Sequence, residues 1–468
     1  MEPSLTATVA AGSARSASLR YAWYVAGLLT LIQIVSYLDR FLPSLVLPAI
    51  KQDLHLTDFQ IGLILGPAFV IFYVLLGIPI GWLADRASRR TILATGIAIW
   101  CAMTAATAAA TGFLPLFLAR LGVGFGEAAV APTSVSLIGD YFGRERQARA
   151  MSLFMSGTFL GAGISFLFFG PLVHYIQALP PVSVPLLGTV QSWRLCFLLV
   201  GAPGLLLSVL MLTVREPARR ERIVLEDSSG VVQPASLASA LGFIRQRWRA
   251  YGTLFIASAC NVTMGALAFW NVALFKRTWN WSVAEVGVAV GLIFLTAGPL
   301  GTLLGLVLTN RHFAAGRRDA TLRALFLGLL IGVPAYTVFP LMPRAALGLV
   351  ALFCAHIGQA MATAAGPATL LLISPGQMRA QATAVYYLVI SLVAQLLGPP
   401  LVGLLADMMG HPDALRYAVS LEALIIGIPA LFLVRLGFGA YRRSVMEQDE
   451  RLKEATWTPA LSRRAAQR

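Results

Sequence analysis

Long apolar runs, separated by short polar loops, fill most of this chain. A helix that crosses a bilayer needs about 20 apolar residues, and twelve runs are long enough. The first six cover approximately residues 21–50, 58–83, 91–111, 113–138, 148–178 and 191–214. The second six cover approximately residues 248–275, 281–309, 319–340, 344–373, 378–405 and 414–439. The pattern predicts an all-α membrane protein with twelve transmembrane helices in two sets of six.

One long polar interruption separates the two sets. The predicted units are a cytoplasmic N-terminal tail at 1–20, an N-terminal six-helix bundle at 21–214, a cytoplasmic linker at 215–247, a C-terminal six-helix bundle at 248–439 and a cytoplasmic C-terminal tail at 440–468. Near the end of the linker, Leu237, Leu241, Ile244 and Trp248 share one helical face that arginines surround. This arrangement predicts an interfacial helix that lies on the membrane.

The composition identifies the bilayer as the solvent for most of the chain. Hydrophobic residues make up 57% of it and charged residues 12%, whereas soluble domains carry roughly 25% charged residues. This excludes a soluble enzyme, a disordered protein and a secreted disulfide scaffold. The four cysteines stand singly, and the sequence contains no ATP-binding loop, metal-ligand spacing or nucleophile elbow. We therefore expect neither an enzyme nor an ATP-driven pump, and no cofactor or metal.

The net charge of +15 comes from 36 Lys and Arg against 21 Asp and Glu. In a membrane protein this excess indicates basic cytoplasmic loops rather than nucleic-acid binding. The basic residues on the predicted termini side include Arg86, Arg89, Arg90, Arg144, Arg146, Arg149, Arg311, Arg317, Arg318, Arg442, Arg443, Arg451 and Lys453. The positive-inside rule then places both termini in the cytoplasm. The compact loops favour a multi-pass protein of a bacterial inner membrane, which we expect to act as a monomer within the lipid bilayer.

The two halves carry matching segments at corresponding helices. The segment FLARLG (117–122) of helix 4 corresponds to FCAHIG (353–358) of helix 10. The segment FGPLV (169–173) of helix 5 corresponds to LGPPLV (397–402) of helix 11, and a degenerate copy of the loop after helix 2 follows helix 8. Three matches in the same order indicate a duplicated unit, and duplicated halves with a site between them are typical of secondary transporters.

These segments carry a resemblance to a known family. The loop GWLADRASRR (81–90), the six-plus-six organisation and the repeat resemble the major facilitator superfamily, with Ser88 where that family usually has glycine. The segments YLDR (37–40) and RLGVGFGEA (120–128) are most similar to the spinster branch, whose animal members move sphingoid phosphates and lysophospholipids. The organic-anion symporter branch shares much of this pattern. The resemblance covers nearly the whole chain and implies two pseudo-symmetric six-helix bundles.

The resemblance also implies a gate at the loop after helix 2. Asp85 would pair with basic groups or with the positive end of helix 11 and so stabilise the outward-open state. Arg86, Arg89 and Arg90 belong to the same acid–base cluster. The alternative is that these charges only set the topology.

Four ionisable side chains lie inside predicted helices of the N-terminal half. Asp39 and Arg40 belong to helix 1, and Arg120 and Glu127 lie two turns apart on one side of helix 4. An ionised group at mid-bilayer costs at least roughly 2.5 kcal/mol, so it usually faces the bundle interior and a partner. Burial raises the proton affinity of a carboxylate and a nearby guanidinium lowers it. We therefore expect Asp39, and secondarily Glu127, to be proton-coupling sites.

Arginine does not deprotonate in proteins, so Arg40 and Arg120 suit a charge partner or an anchor for an anionic head group. Two alternatives remain at this stage. The four charges form a static salt-bridge network, or Arg40 snorkels to the membrane boundary.

The C-terminal half offers milder polar groups, and His356 and Thr363 stand where the N-terminal half has Arg120 and Glu127. The predicted cavity-lining residues of this half are Asn261, Trp270, Asn271, His356, Gln359 and Tyr386, with Phe269 and Met264 beside Trp270 in an apolar wall. Ionisable groups on one wall and apolar groups on the other suit an amphipathic substrate. The alternative for each residue is ordinary helix packing, and His356 is the best candidate for a hydrogen-bonded core histidine.

The leading hypothesis is a proton-coupled secondary active transporter of an amphipathic, anionic, lipid-like substrate such as a lysophospholipid or sphingolipid, working by alternating access. The first alternative is a proton-coupled symporter of small organic acids such as sugar acids or aromatic acids. The second alternative is a membrane sensor that does not transport.

Overall fold

Twelve membrane-crossing segments alternate in direction through the molecule. The computed structural model describes residues 18–84, 86–180, 182–184, 188–217, 237–375 and 378–465. Within these ranges, twelve helical segments are long and apolar enough to cross a bilayer, which confirms the predicted number. Spans 1–6 form the N-terminal bundle and spans 7–12 the C-terminal bundle. We call the side where span 1 begins and span 12 ends the termini face, and the other side the opposite face.

The helices of the N-terminal bundle are α1 (Leu19–Leu54), α2 (Asp58–Leu65), α3 (Pro67–Ala84), α4 (Arg89–Thr107), α5 (Phe113–Glu127), α6 (Val130–Tyr141), α7 (Arg144–Gln177) and α8 (Ser192–Thr213). Those after it are α9 (Leu237–Gln246), α10 (Trp248–Ala266), α11 (Asn271–Trp279), α12 (Val283–Ala314), α13 (Ala320–Val338), α14 (Ala345–Ile373), α15 (Arg379–Met409) and α16 (Ala414–Ala465). Span 2 consists of α2 and α3, span 4 of α5 and α6, and span 7 of α10 and α11. The remaining spans are single helices in chain order, and α9 lies between the bundles.

Two 3-10 turns interrupt or end spans of the C-terminal bundle. The turn Leu267–Trp270 joins the two helices of span 7, and the turn Phe339–Leu341 follows α13 at the end of span 9. Short 3-10 segments within long helices often mark a hinge or a functional position.

Signals at the helix ends account for several boundaries. Span 1 stops at Leu54 because His55 adopts a left-handed conformation, with φ of 50°. Span 2 begins with a capping box in which Thr57 and Gln60 satisfy each other's backbone N–H groups. Asn280, with φ of 57°, ends span 7 in the same left-handed way as His55. These short, well-capped turns hold neighbouring spans close together at the opposite face.

Span 2 is interrupted at Gly66, where its backbone touches span 11. A Cβ atom at Gly66 would lie 2.1 Å from the carbonyl oxygen of Gln395, so only glycine fits there. Pro67 follows at the first position of α3, where its missing N–H costs no hydrogen bond. The two bundles meet along this pair of spans and along the corresponding pair, span 5 with span 8.

The outer surface and the interior differ as expected for a protein in lipid. Large apolar side chains such as Phe168, Leu206 and Leu436 face outwards. Trp100 in the N-terminal bundle and Trp270 in the C-terminal bundle are fully buried. The exposed apolar belt therefore fits a bilayer rather than water.

The connecting segments lie at both faces. Between spans 5 and 6, strands β1 (Val182–Val184) and β2 (Gly188–Val190) pair antiparallel, with Val182 opposite Val190. The helix of span 12 continues without interruption to Ala465, through most of the segment predicted as a C-terminal tail. Most of the predicted N-terminal tail (1–17) and much of the predicted linker (218–236) lie outside the described residues.

Candidate functional site

Two buried ion pairs cross between spans 1 and 4. Arg120 Nη1 donates to Asp39 Oδ2 at 3.3 Å. Arg40 Nε donates to Glu127 Oε2 at 2.8 Å, and Arg40 Nη2 lies 2.8 Å from the same oxygen in the ion pair. Consecutive residues of span 1 thus pair with residues two turns apart on span 4. Arg40 is held by Glu127, so the alternative in which it snorkels to the membrane boundary is wrong.

Both carboxylates are completely buried and each also accepts a hydroxyl hydrogen bond. Ser36 Oγ donates to Glu127 Oε2 at 2.6 Å, and Thr104 Oγ1 donates to Asp39 Oδ1 at 2.7 Å. The sequence analysis missed these two hydroxyls. Ser36 lies three residues before Asp39, which is one helical turn, but nothing in the pattern separates it from other serines and threonines in the spans.

The two ion pairs are held unequally. Glu127 Oε2 receives one guanidinium hydrogen bond at 2.8 Å and has a second guanidinium nitrogen at 2.8 Å, whereas Asp39 receives one guanidinium hydrogen bond at 3.3 Å. Arg120 is only partly hydrogen-bonded, because its Nε has no hydrogen-bond partner among the described residues. Charge-assisted hydrogen bonds weaken as they lengthen beyond about 2.9 Å, so Asp39 is the less tightly held carboxylate.

Arg40 lies among aromatic rings. Its guanidinium carbon is 4.9 Å from the ring centre of Tyr37, 4.5 Å from that of Phe69 and 4.7 Å from that of Tyr73. Cations within about 6 Å of a ring face are attracted to it. The side chain keeps 18% of its surface exposed, whereas that of Arg120 keeps 2%. Arg40 is therefore the cation of this group that a bound anion can reach.

Close packing of spans 2 and 4 positions this aromatic group. A Cβ atom at Gly124 would lie 2.1 Å from the carbonyl oxygen of Phe69, so the two backbones touch. Small residues allow such contact between membrane helices. Phe69 thereby reaches the guanidinium of Arg40.

An aromatic cluster joins the bundles beside the ion pairs. Phe41, next to Arg40, contacts Phe166 and Phe269 with ring centres 5.1 Å apart in each case. Phe294 of span 8 lies 5.8 Å from Phe41 and 4.8 Å from His356. Phe269, predicted to belong to an apolar wall, therefore does face the charged helix of the other bundle.

The polar residues predicted to line the cavity in the C-terminal bundle form hydrogen bonds mainly with other residues of that bundle. Asn261 Nδ2 donates to Thr363 Oγ1 at 2.8 Å, and Gln359 Oε1 accepts from Tyr336 Oη at 3.0 Å. His356 is buried, and its Nδ1 lies 3.0 Å from the carbonyl oxygen of Leu352. These contacts match the helix-packing interpretation.

Three further candidates of this bundle lie near the broken part of span 7 or on span 11. Trp270 is fully buried and its Nε1 donates to the carbonyl oxygen of Pro399 at 3.3 Å. Asn271 is buried, and its Nδ2 has no partner among the described residues. Tyr386 is buried on span 11, with its ring centre 6.0 Å from that of Phe255. Trp270 links spans 7 and 11.

At the termini face, two of the predicted gate arginines share Glu216, while the third lies apart from them. Arg89 is buried and binds Asp140 and Glu216, both in or beside the N-terminal bundle. Arg90 donates its backbone N–H to Glu216 at 2.9 Å, while Arg86 is exposed with its guanidinium 4.1 Å from the ring centre of Trp82. Asp85 lies outside the described residues. The described contacts of Arg89 therefore join parts of one bundle.

The hydrogen bonds from Ser88, Arg89 and Arg90 lower the pKa of the Glu216 carboxyl. Partial burial raises the pKa of its carboxyl, but hydrogen bonds from Arg90 N–H, Arg89 and Ser88 outweigh that effect. The result is a pKa below the ordinary value of 4.5. Glu216 lies just beyond span 6, outside the membrane-spanning segments.

A second charged cluster, unpredicted, joins the bundles at the opposite face. Asp58, at the start of span 2, binds Lys51 Nζ at 2.6 Å and two guanidinium nitrogens of Arg277 at 2.8 Å each. Asp407 of span 11 accepts the backbone N–H groups of Asp58 and Phe59 at 3.0 Å and 2.8 Å. A carboxylate at a helix N-terminus is favoured by the helix dipole. We call Lys51, Asp58, Arg277 and Asp407 the opposite-face cluster.

One buried acid of the C-terminal bundle escaped the sequence analysis. Glu422 of span 12 is completely buried. The prediction that the C-terminal half buries only milder polar groups within its spans is therefore wrong. The signal was available, because Glu422 is a lone acid inside an apolar run, as Asp39 is.

Comparison with known proteins identifies the family. The model of the Major Facilitator Superfamily matches residues 29–275 and again residues 254–467, one match for each bundle. The chain belongs to the major facilitator superfamily. The predicted fold and the predicted family are thereby confirmed, and this superfamily consists of transporters rather than enzymes.

Several superfamily members are similar over much of their length. A solved bacterial homologue of the human lysosomal transporter Spinster, inward-facing and unoccupied, is 25% identical with a TM-score of 0.73, covering 92% of this chain and 99% of that one. An MFS-type efflux pump of Mycolicibacterium smegmatis is 28% identical over 92% of this chain and 95% of its own length. A protein of Escherichia coli named "Probable L-galactonate transporter" is 25% identical over 70% of this chain and 72% of its own. The superfamily match is thus accompanied by likeness to a homologue of the lysosomal transporter Spinster, to an efflux pump and to a probable L-galactonate transporter.

Proposed function

We propose that this superfamily transporter couples movement of an amphipathic, anionic, lipid-like substrate to protons by alternating access. The observation that carries the proposal is the crossed pair of ion pairs between spans 1 and 4. Two fully buried carboxylates there face two permanent cations, so protonating either carboxylate releases a guanidinium inside the protein.

Asp39 is the proposed coupling site. It has one guanidinium contact at 3.3 Å, whereas Glu127 has two at 2.8 Å, so Asp39 loses less on protonation. When Asp39 takes up a proton, Arg120 loses its counter-ion, so the group of four charges gains a net positive charge that attracts the anionic part of a substrate to Arg40, its partly exposed cation. When the proton leaves, the Asp39–Arg120 pair re-forms and this attraction is lost.

The surroundings of Arg40 support an amphipathic substrate. Its guanidinium is partly exposed among three aromatic rings, and the aromatic cluster around Phe41 begins at the next residue. An anionic head group bound at Arg40 would thus have apolar surface immediately beside it. The resemblance of residues 37–40 and 120–128 to the spinster branch favours a lipid-like substrate, and the likeness to a solved Spinster homologue over 92% of this chain is consistent with that branch.

A second candidate function is symport of small sugar acids with protons. The observation in its favour is the 25% identity to the Escherichia coli protein, over 70% of this chain. A sugar acid would use the same cations but gain nothing from the rings around Phe41. The two candidates therefore differ in how much the apolar part of the substrate contributes to binding.

The opposite-face cluster supports the alternating-access part of the proposal. Arg277 and Asp407 of one bundle bind Asp58 and the start of its helix in the other, so these contacts must break before a path can open on that side. We infer that this cluster is the gate of the opposite face. The arginine-rich loops support a cytoplasmic termini face in a bacterial inner membrane.

Proteoliposomes that contain the purified protein test this function. With an imposed pH gradient, we expect uptake of a labelled lysophospholipid and none of galactonate. Asp39→Asn should abolish the pH-driven uptake, and Asp413→Asn, a matched change of an exposed aspartate, should leave it intact. Galactonate uptake alone would favour the second candidate, and lysophospholipid uptake that ignores both the gradient and Asp39→Asn would contradict proton coupling.

A further inference from the structure

Glu422 is a buried acid that no cation accompanies. Its relative exposure is 0%, and neither carboxyl oxygen has a hydrogen-bond partner among the described residues. An ionised carboxylate in an apolar interior is strongly unfavourable unless it is paired and hydrogen-bonded. In this arrangement of the helices, the physical solution is a carboxyl that carries its proton.

The carboxyl lies at a junction of three spans. Its Oε1 is 3.6 Å from the position that a Cβ atom on Gly398 of span 11 would occupy. Thr263 and Ala266 of span 7 each approach that same position to 3.3 Å. Glu422 therefore lies between spans 7, 11 and 12, on apolar and small neighbours.

Spans 7 and 11 both lack hydrogen bonds of a regular α-helix close to Glu422. The 3-10 turn Leu267–Trp270 begins one residue after Ala266, and Pro399 and Pro400 follow Gly398 directly. Trp270 donates its ring N–H to the carbonyl oxygen of Pro399, so one hydrogen bond ties the two weak points together. Hinges of this kind are where membrane transporters change conformation.

The N-terminal bundle holds the same turn. Ser44 Oγ of span 1 donates to the carbonyl oxygen of Phe269 at 2.6 Å. The opposite-face cluster closes the same side of the molecule through Asp58 and Arg277. Separation of the bundles at the opposite face therefore strains the turn that follows Ala266, next to the position of Glu422.

Among the described residues, no charged group is hydrogen-bonded to Glu422. Span 7 also contributes the buried thiol of Cys260 to this neighbourhood. Four charged side chains of the packed elements are engaged elsewhere: Arg416 with Pro340, Arg323 with Asp319, Arg277 with Asp58, and Asp407 with the start of span 2. Of the others, Lys276 lies at the opposite face beside Gln52 and His55, and Arg435 lies towards the termini face beside Arg442. Tyr336 and His356 are hydrogen-bonded to Gln359 and to the Leu352 carbonyl.

We propose that Glu422 is a second proton-binding site, in the C-terminal bundle, that is loaded when the opposite face is closed and unloaded when it opens. On opening, the O–H bond of the carboxyl breaks, the proton passes to water entering between spans 7 and 11, and a solvated carboxylate remains. On closing, the carboxylate takes a proton from water before it is buried. This proposal goes beyond the coupling role of Asp39 and does not depend on the identity of the substrate.

Infrared spectroscopy of the purified protein tests the loaded state. The carbonyl stretch of a protonated carboxyl should be present at neutral pH and be lost in Glu422→Gln, while Glu447→Gln, a change of an exposed glutamate at the termini side, keeps it. Should Glu422→Gln fold poorly, Glu422→Asp shifts the band instead of removing it. A wild-type spectrum in which Glu422→Gln removes no band would overturn the proposal.

Exchange into heavy water tests the link to the opposite face. The band should exchange slowly in the wild type and at least about tenfold faster in Asp58→Asn, the factor that corresponds to about 1.4 kcal/mol. Asp413→Asn, which changes an exposed aspartate on the same side, should leave the rate unchanged. An equal rate in Asp58→Asn and the wild type would make Glu422 a static core acid and contradict the proposal, whatever the outcome of the transport assays.

Discussion

In the N-terminal bundle, Asp39 and Glu127 each face a guanidinium and accept a hydroxyl hydrogen bond, whereas in the C-terminal bundle Glu422 lies beside glycine, threonine and alanine. The duplicated halves therefore bury acids in different ways. A paired carboxylate remains ionised, and its protonation changes the contacts that its cation makes. An unpaired buried carboxyl is protonated, and it ionises only when it becomes exposed to water.

The largest expected effect is the loss of coupling when Asp39 becomes neutral. Asp39→Asn should reduce pH-driven uptake to background while exchange of substrate down its own gradient continues, because the amide cannot carry the proton. Uptake into proteoliposomes with and without a pH gradient measures this. Unchanged gradient dependence would break the comparison, since paired charges would then be purely structural.

The next effect is on stability. Arg120→Ala leaves Asp39 buried without a cation, and breaking a buried pair in this way costs about 3–5 kcal/mol. The double variant Arg120→Ala with Asp39→Asn should recover most of that loss, because no unpaired charge remains. Thermal unfolding in detergent compares the two variants, and equal destabilisation of both would show that packing, not charge, holds this pair.

Glu216 is itself a paired acid near the surface, and it extends the comparison between paired and unpaired acids. Its folded pKa lies below the ordinary 4.5, so its stabilising contribution is complete above 4.5 and is lost as the pH falls through the lower folded value. Glu216→Gln should cost about 1 kcal/mol at pH 7, because 30% of the side chain is exposed and screened. Unfolding at a series of pH values should show this difference vanish in acid, and a cost that persists there would contradict the assignment to charge.

The smallest effect is expected at Glu422. If the carboxyl is already protonated, Glu422→Gln replaces one neutral group with another of the same shape and changes stability by less than about 1 kcal/mol. Glu127→Gln, the matched change in the N-terminal bundle, strands Arg40 and should destabilise more. A larger loss at Glu422 than at Glu127 would reverse the contrast between the bundles.

The sequence predicted the spans because apolar length is dictated by the bilayer, and it predicted Asp39 and Glu127 because charges in such runs are costly. It did not predict which cation serves which acid, since helical spacing gives the face of a residue but not its distance to another helix. The repeat did not indicate Glu422, because it matches Arg120 and Glu127 with His356 and Thr363, which lie on a different span. It also did not predict the Asp58–Arg277 contact, because the two residues lie at the ends of different spans and their pairing depends on how the bundles meet.

The rings around Arg40 have one more consequence. A guanidinium that rests on three π faces keeps part of its stabilisation when its carboxylate leaves. The cation can then stay in place while its anions take turns, first the side chain of Glu127 and then a ligand. The protein would thus exchange negative partners around a cation that stays in place.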